Sequence, residues 1–239
     1  MGNYKIHIKQ YSPSAVLIEW PSLISKEILE DISNFSIIIR KNKTEQIVDI
    51  NFVYCSLLII YNKKIINFNT LKSELQELYS KMKFDVIKRN NWNIPVCYDL
   101  EFGIDLSYIS TFKQLEIKQI IEFHINQKYT VYGIGFLPGF LYLGELNQNL
   151  IIPRRDTPRN NVDKGSVAIA GNQTGIYPQN SPGGWHVIGK TPIQLFNAFQ
   201  NPPIEIMPND TLQFYQISKK EYFKMIHDPI DIFTFLQIE

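Results

Sequence analysis

Three of the chain's five arginines stand in one short stretch, Pro153-Arg-Arg-Asp-Thr-Pro-Arg159, whereas lysine carries the positive charge almost everywhere else. A chain that uses lysine for solubility keeps arginine where a planar, two-pronged donor matters, which means a carboxylate, a phosphate or buried carbonyl groups. Arg154, Arg155 and Arg159 are therefore candidates to neutralise an anionic substrate group. The competing assignment is an internal clamp in which Asp156 and loop carbonyls take up the guanidiniums. Pro153 and Pro158 stiffen the segment under either assignment, by lowering the entropy lost on ordering it.

Two further loops carry polar groups suited to a small metabolite. Gly171-Asn-Gln-Thr-Gly-Ile-Tyr-Pro178 offers Gln173, Thr174 and Tyr177 as neutral donors and acceptors, next to glycines that let backbone N–H groups approach a ligand. Ser181-Pro-Gly-Gly-Trp185 adds Trp185 as an apolar wall. Upstream, His124 is the ionisable group best suited to proton transfer, since a neutral imidazole can act as a base or orient a substrate. Glu122 lies two residues before it. On a helix that spacing points the two side chains apart, so no direct pair is expected.

The elements that must hold these groups fall into two stretches with different patterning. Residues 1–88 are expected to form a small α+β domain, with strands at Ala15–Trp20, Ile47–Ile50 and Ser56–Tyr61. Apolar spacing predicts one helix over Ile24–Ile32 and another through Leu71, Leu75, Leu78 and Met82 behind a Thr70 cap. Asn90–Asn91 and Asn93-Ile-Pro95 resemble a hinge. Ten of the twelve glycines then fall between Gly133 and Gly189. Such dense turn chemistry, broken by short apolar runs at Ser166–Ala170, Trp185–Ile188 and Thr211–Tyr215, reads as a β-rich barrel or sandwich over residues 89–239. One helix, Lys113–Asn126, is expected to interrupt it.

Composition narrows the function. Lys plus Arg (24) and Asp plus Glu (23) nearly cancel, which removes the positive field that a nucleic-acid binder needs. Cys55 and Cys97 lack the paired spacing of a metal knuckle or a disulfide framework, and no metal site is expected. No stretch reaches the length of a membrane span and the N-terminus lacks a signal-peptide core, so a soluble, cytoplasmic protein is expected. Gly133-Ile-Gly-Phe-Leu-Pro138 puts proline where the dinucleotide fingerprint needs its third glycine. No phosphate-binding P-loop, nucleophile elbow or zinc-protease motif occurs either.

Six runs, in order and spacing, resemble the Kip-inhibitor, or allophanate hydrolase subunit 1, family of carboxyltransferase subdomains C and D. They are Gly135-Phe-Leu-Pro-Gly-Phe-Leu-Tyr-Leu143, Pro153–Arg159, Gly165-Ser-Val-Ala-Ile-Ala-Gly171, Gln173–Pro178, Ser181–Trp185 and Ile188-Gly-Lys-Thr-Pro192. Weaker likeness extends through Ile94–Tyr98, Phe102–Leu106 and Tyr54–Leu58. The resemblance implies an α+β, β-rich chain with a small N-terminal domain and a cyclophilin-like β-barrel. It also implies an ATP-dependent 5-oxoprolinase component that works only with a larger homologous C subunit and a separate A subunit, ATP being used by the complex. Phe136 and Tyr142 join the substrate-binding candidates on this ground. A regulatory inhibitor of a sensor histidine kinase is the alternative that the family represents, and a prolyl isomerase rests on fold analogy alone. Allophanate cleavage by this chain alone is not expected, because no Ser-Ser-Lys apparatus is present. Two departures stand out: Glu145 replaces a glycine usual in the family, and Asp163-Lys164 replaces Pro-Ala.

Overall fold

The computed structural model describes residues 4–43, 45–83, 89–228 and 230–237, and the chain divides into two compact units, residues 1–88 and 89–239.

In the first unit, β1 (His7–Ser12), β2 (Ala15–Glu19), β3 (Ile47–Val53) and β4 (Ser56–Tyr61) form an antiparallel sheet in the order β1-β2-β4-β3. Leu57, Ile59 and Tyr61 alternate along β4 with half-buried residues, so one face of that strand enters the core. The helix expected over Ile24–Ile32 runs instead as α1 from Lys26 to Lys43, because Phe35 and Ile39 continue the buried stripe begun by Ile28 and Ile32. α2 (Phe68–Ser80) is capped by Asn67, whose side chain accepts from the Thr70 N–H at 3.1 Å; Thr70 lies inside the helix and not at its cap. Inside this core, the buried Asp31 carboxylate takes the Trp20 indole N–H at 2.7 Å and the Tyr79 hydroxyl at 2.5 Å.

The second unit begins with β5 (Asn91–Val96), so the residues expected to be a hinge form a strand. β5 pairs in parallel with β13 (Thr211–Gln216) and, through Asn91 and Trp92 only, with β14 (Leu236–Gln237). Pro95 sits beyond the reach of β14, where its missing N–H costs no second ladder bond. From β13 the strand path continues through β6 (Lys128–Ile134), β7 (Leu141–Gly144), β10 (Gln173–Ile176), β9 (Ser166–Ala170) and β12 (His186–Lys190). Just past β5, Cys97 exchanges two backbone hydrogen bonds with Lys190 of β12, at 2.9 and 3.0 Å, which returns the path to its starting strand. β8 (Arg159–Val162) and β11 (Ser181–Gly183) pair separately. Three hydrophobic clusters result: a large one running from Trp92 and Ile94 to Phe214, a smaller aromatic one of Phe140, Tyr177, Trp185 and their neighbours, and a small one of Cys97, Ile217 and Tyr222.

The helix expected over Lys113–Asn126 is α4 (Ile117–Ile125), shorter at both ends, and a helix that was not expected, α3 (Leu106–Lys113), precedes it. Gln114 adopts a left-handed conformation at φ 54° and ends α3, and a capping box between Glu116 and Gln119 starts α4. α5 (Lys219–His227) follows β13, with its own capping box between Ser218 and Glu221. The chain is thus α+β and strand-rich. Both cysteines are free thiols, Cys97 buried and Cys55 half-buried. No helix among the described residues is long and apolar enough to cross a membrane.

Candidate functional site

The arginine stretch divides by role. Arg159 places Nη1 and Nη2 at 2.8 and 2.6 Å from the two oxygens of Asp105, and Arg155 Nη1 lies 3.1 Å from one of them. Asp105 precedes α3 and is 2 % exposed, and it also accepts the backbone N–H of Val187 at 2.7 Å. One buried carboxylate therefore holds two guanidiniums and fixes the loop to β12. The acceptor is Asp105, about fifty residues upstream, and not the adjacent Asp156, which is exposed. The Arg155 backbone N–H further binds the Gly184 carbonyl at 2.8 Å.

Arg154 has a different environment. It is exposed, and its guanidinium carbon lies 5.9 Å from the centre of the Trp185 ring. Trp185 packs edge-on against Phe140 at 5.4 Å, and Phe140 contacts Tyr142 and Tyr177 in the same manner at 4.9 and 5.2 Å. Phe136, 66 % exposed and at φ 65°, stands 5.8 Å from Phe140. Burial raises the Tyr142 phenol above its ordinary pKa while the nearby Arg154 charge opposes that shift. Desolvation likewise raises Tyr177, against the Trp185 backbone N–H and Arg154. Arg154, Phe136, Tyr142 and Trp185 thus gather around Phe140. Tyr177 is buried beneath them, with its hydroxyl packed so closely on Gly183 that a Cβ there would lie 2.3 Å from it.

His124 is not at this surface. It is fully buried on α4, stacked 4.6 Å from Phe214, with Nδ1 2.7 Å from the Tyr98 hydroxyl and Nε2 3.0 Å from Thr174 Oγ1. Thr174 uses its one hydroxyl hydrogen on the Ala168 carbonyl at 3.0 Å, so it accepts from an Nε2–H. Nδ1 then accepts a hydrogen bond from the Tyr98 O–H, and the ring is neutral with both nitrogens satisfied. Burial lowers its pKa to about 3. Both side chains lie inside the core, so His124 is away from any surface at which it would transfer a proton and Thr174 from any at which it would contact a ligand. Glu122 points outward, 3.8 Å from Lys118. Gln173 opens β10, half-buried.

Two residues not singled out from the sequence shape the site. Asp105 lies in the Phe102–Leu106 run, but nothing local marks its role, since its partners lie fifty and more residues away. His186, adjacent to Trp185, was available by position in the glycine-rich run. Its Nε2 lies 3.1 Å from the Pro153 carbonyl, its ring stacks on Tyr108 at 5.3 Å, and burial lowers its pKa despite the nearby Asp105. Trp185 and Val187 join the small aromatic core, whereas His186 sits with Tyr108 and Asp105. Consecutive residues thus serve the aromatic cluster and the surroundings of the clamp. Glu145, in place of the family's glycine, adopts φ 71° and accepts from Thr130 Oγ1 at 3.1 Å. Asp163 pairs with Lys190 at 3.1 Å. Among the described residues no cluster of His, Cys, Asp and Glu is arranged to hold a metal ion.

A strand-rich α+β unit of this kind is shared with solved structures. Urea amidolyase from K. lactis superposes with a TM-score of 0.77 over 95 % of this chain and 16 % of that one, at 19 % identity, a level that shows the fold alone. The family model "Carboxyltransferase domain, subdomain C and D" matches residues 6–206, and the chain belongs to that family. It is 33 % identical over 229 residues to the B subunit of 5-oxoprolinase from Bacillus subtilis, covering 91 % of this chain and 95 % of the relative. The corresponding protein of Haemophilus influenzae is 38 % identical over 209 residues, covering 87 % and 97 %.

Proposed function

We propose that this chain is the B subunit of an ATP-dependent 5-oxoprolinase, acting with a larger C subunit and an A subunit to open 5-oxoproline to glutamate. The observation that carries this reading is near full-length similarity to the B subunits of 5-oxoprolinase in two bacteria. The site geometry supports a division of labour within the arginine stretch. Arg154, exposed and backed by Trp185, receives the carboxylate of the substrate. Arg155 and Arg159 neutralise Asp105 and hold the loop that presents Arg154. Phe136 and Tyr142 flank the ligand. ATP is a substrate of the complex, and we assign no residue of this chain to holding it.

Co-expression with the C and A subunits, followed by an ATP-dependent assay for glutamate release from 5-oxoproline, tests the proposal. Activity should require all three proteins, and the B and C subunits should co-elute on sizing. Glutamate release that is unaffected by omitting this chain would refute it.

A further inference from the structure

Main-chain contacts bracket Arg154 on both sides. Before it, Ile152 exchanges backbone hydrogen bonds with Gly171 at 3.3 and 2.6 Å; after it, the Arg155 N–H reaches the Gly184 carbonyl at 2.8 Å. Between these tethers Pro153 has no N–H to donate, so its carbonyl is the only main-chain group by which a hydrogen bond can hold it. His186 takes that carbonyl, with Nε2 at 3.1 Å.

A carbonyl only accepts, so Nε2 carries the hydrogen. Nδ1 is then the bare nitrogen; it is buried and makes no hydrogen bond. Protonating it would bury an N–H without an acceptor, and burial accordingly lowers the pKa of the ring, with Arg155 and Arg159 adding to that shift against Asp105. Tyr108 fixes the plane from the other side, stacked on the imidazole at 5.3 Å with 7° between the rings.

The consequence falls on Arg154. A peptide unit is planar, so holding the Pro153 carbonyl also sets the direction of the Arg154 N–H and of the bond to its Cα. At the far end of the same side chain, the guanidinium lies 5.9 Å from the centre of the Trp185 ring. The consecutive residues Trp185 and His186 thus hold both ends of Arg154.

We infer that His186, with Tyr108 behind it, is a positioning residue that aims Arg154 at the substrate carboxylate. The inference rests on the carboxylate-binding role proposed above for Arg154. His186 touches no reacting atom and acts only through the Pro153 carbonyl, which accounts for a buried polar ring that makes a single hydrogen bond to a loop.

A double-mutant cycle in the reconstituted three-subunit complex, with 5-oxoproline as substrate, tests the inference. His186→Leu should lower kcat/KM, per folded complex, by about three- to tenfold, the worth of one neutral hydrogen bond. His186→Gln, whose amide can donate from near the Nε2 position, should recover to within about twofold of the parent. Tyr108→Leu, at a half-exposed residue, leaves the core intact and should cost about twofold. In an Arg154→Ala background, His186→Leu should cost less than about twofold more, because the side chain it aims is gone. A loss in Arg154→Ala with parental kcat/KM in His186→Leu would overturn this inference alone. So would an equal His186→Leu loss in both backgrounds, or a Gln variant no better than Leu. Parental kcat/KM in Arg154→Ala would overturn the carboxylate-binding role, and this inference with it.

Discussion

Asp105 and Arg159 are joined through both oxygens and both terminal nitrogens, at 2.8 and 2.6 Å, across 54 residues of chain. A paired fork of this kind fixes orientation as well as distance. With Arg155 on the same carboxylate, the group is a hub and not an isolated pair.

Asp105→Asn should therefore act on stability before function. Removing one partner of a buried ion pair costs about 3–5 kcal/mol, and partial exposure of the two arginines reduces this to about 2–3 kcal/mol. Denaturant unfolding measures it. A change within about 0.5 kcal/mol, the range of ordinary surface substitutions, would remove the clamp from the account.

Arg154→Lys should show the opposite order. The charge remains, but the planar donor pair and its stacking on Trp185 are lost, so activity of the reconstituted complex should fall by about 10- to 1,000-fold. The melting temperature should move by less than about 2 °C, since an exposed side chain adds little stability. Arg155→Lys, measured alongside, should lower melting first, with activity following the folded fraction. Equal behaviour of the two variants would dissolve the division of roles.

His124 gives the protein an acid-sensitive core. Its folded pKa, about 3, is below the unfolded value near 6.5, so the unfolded chain binds more protons between those limits. Stability from this group is full above pH 6.5 and is lost as pH falls towards 3, at about 1.4 kcal/mol per pH unit. At pH 5 the loss is about 2 kcal/mol. His124→Gln should flatten that limb of the curve; unchanged slopes between pH 7 and 5 would contradict a buried neutral ring.

Gly183→Ala should disturb the aromatic cluster from below. The added Cβ would lie 2.3 Å from the Tyr177 hydroxyl and 2.8 Å from its ring carbon, so the ring must shift. Overpacking of this kind costs about 1–3 kcal/mol. Tryptophan emission from Trp185 should change with it, and a variant with unaltered stability and emission would show that the loop yields freely.

Much of the chain's organisation is legible because short-range rules govern it. Ser56–Tyr61 and Ser166–Ala170 are strands with the bounds that their apolar, β-branched content indicates. The likeness carried by the Gly/Pro-rich runs points to the family. What escapes is set by neighbours distant in sequence. Nothing near Arg159 announces Asp105, and nothing near His124 tells a core imidazole from a catalytic one until Tyr98 and Thr174 close around it. The break at Gln114 hides for a local reason: its left-handed turn uses a residue with no strong turn preference.

The exchange between Cys97 and Lys190 joins the strand path at one bridge, where other neighbours in the path share ladders. Separating that seam breaks two backbone hydrogen bonds and leaves each ladder zipped, but Val96, Cys97 and Ile188 are buried along it, so opening also exposes core. Lys190 also pairs with Asp163, in the segment leading to β9, so each opening loosens one tether of the glycine-rich loops. A ligand seated against Trp185 would then be felt as slower amide exchange at Cys97, a readout that needs no turnover.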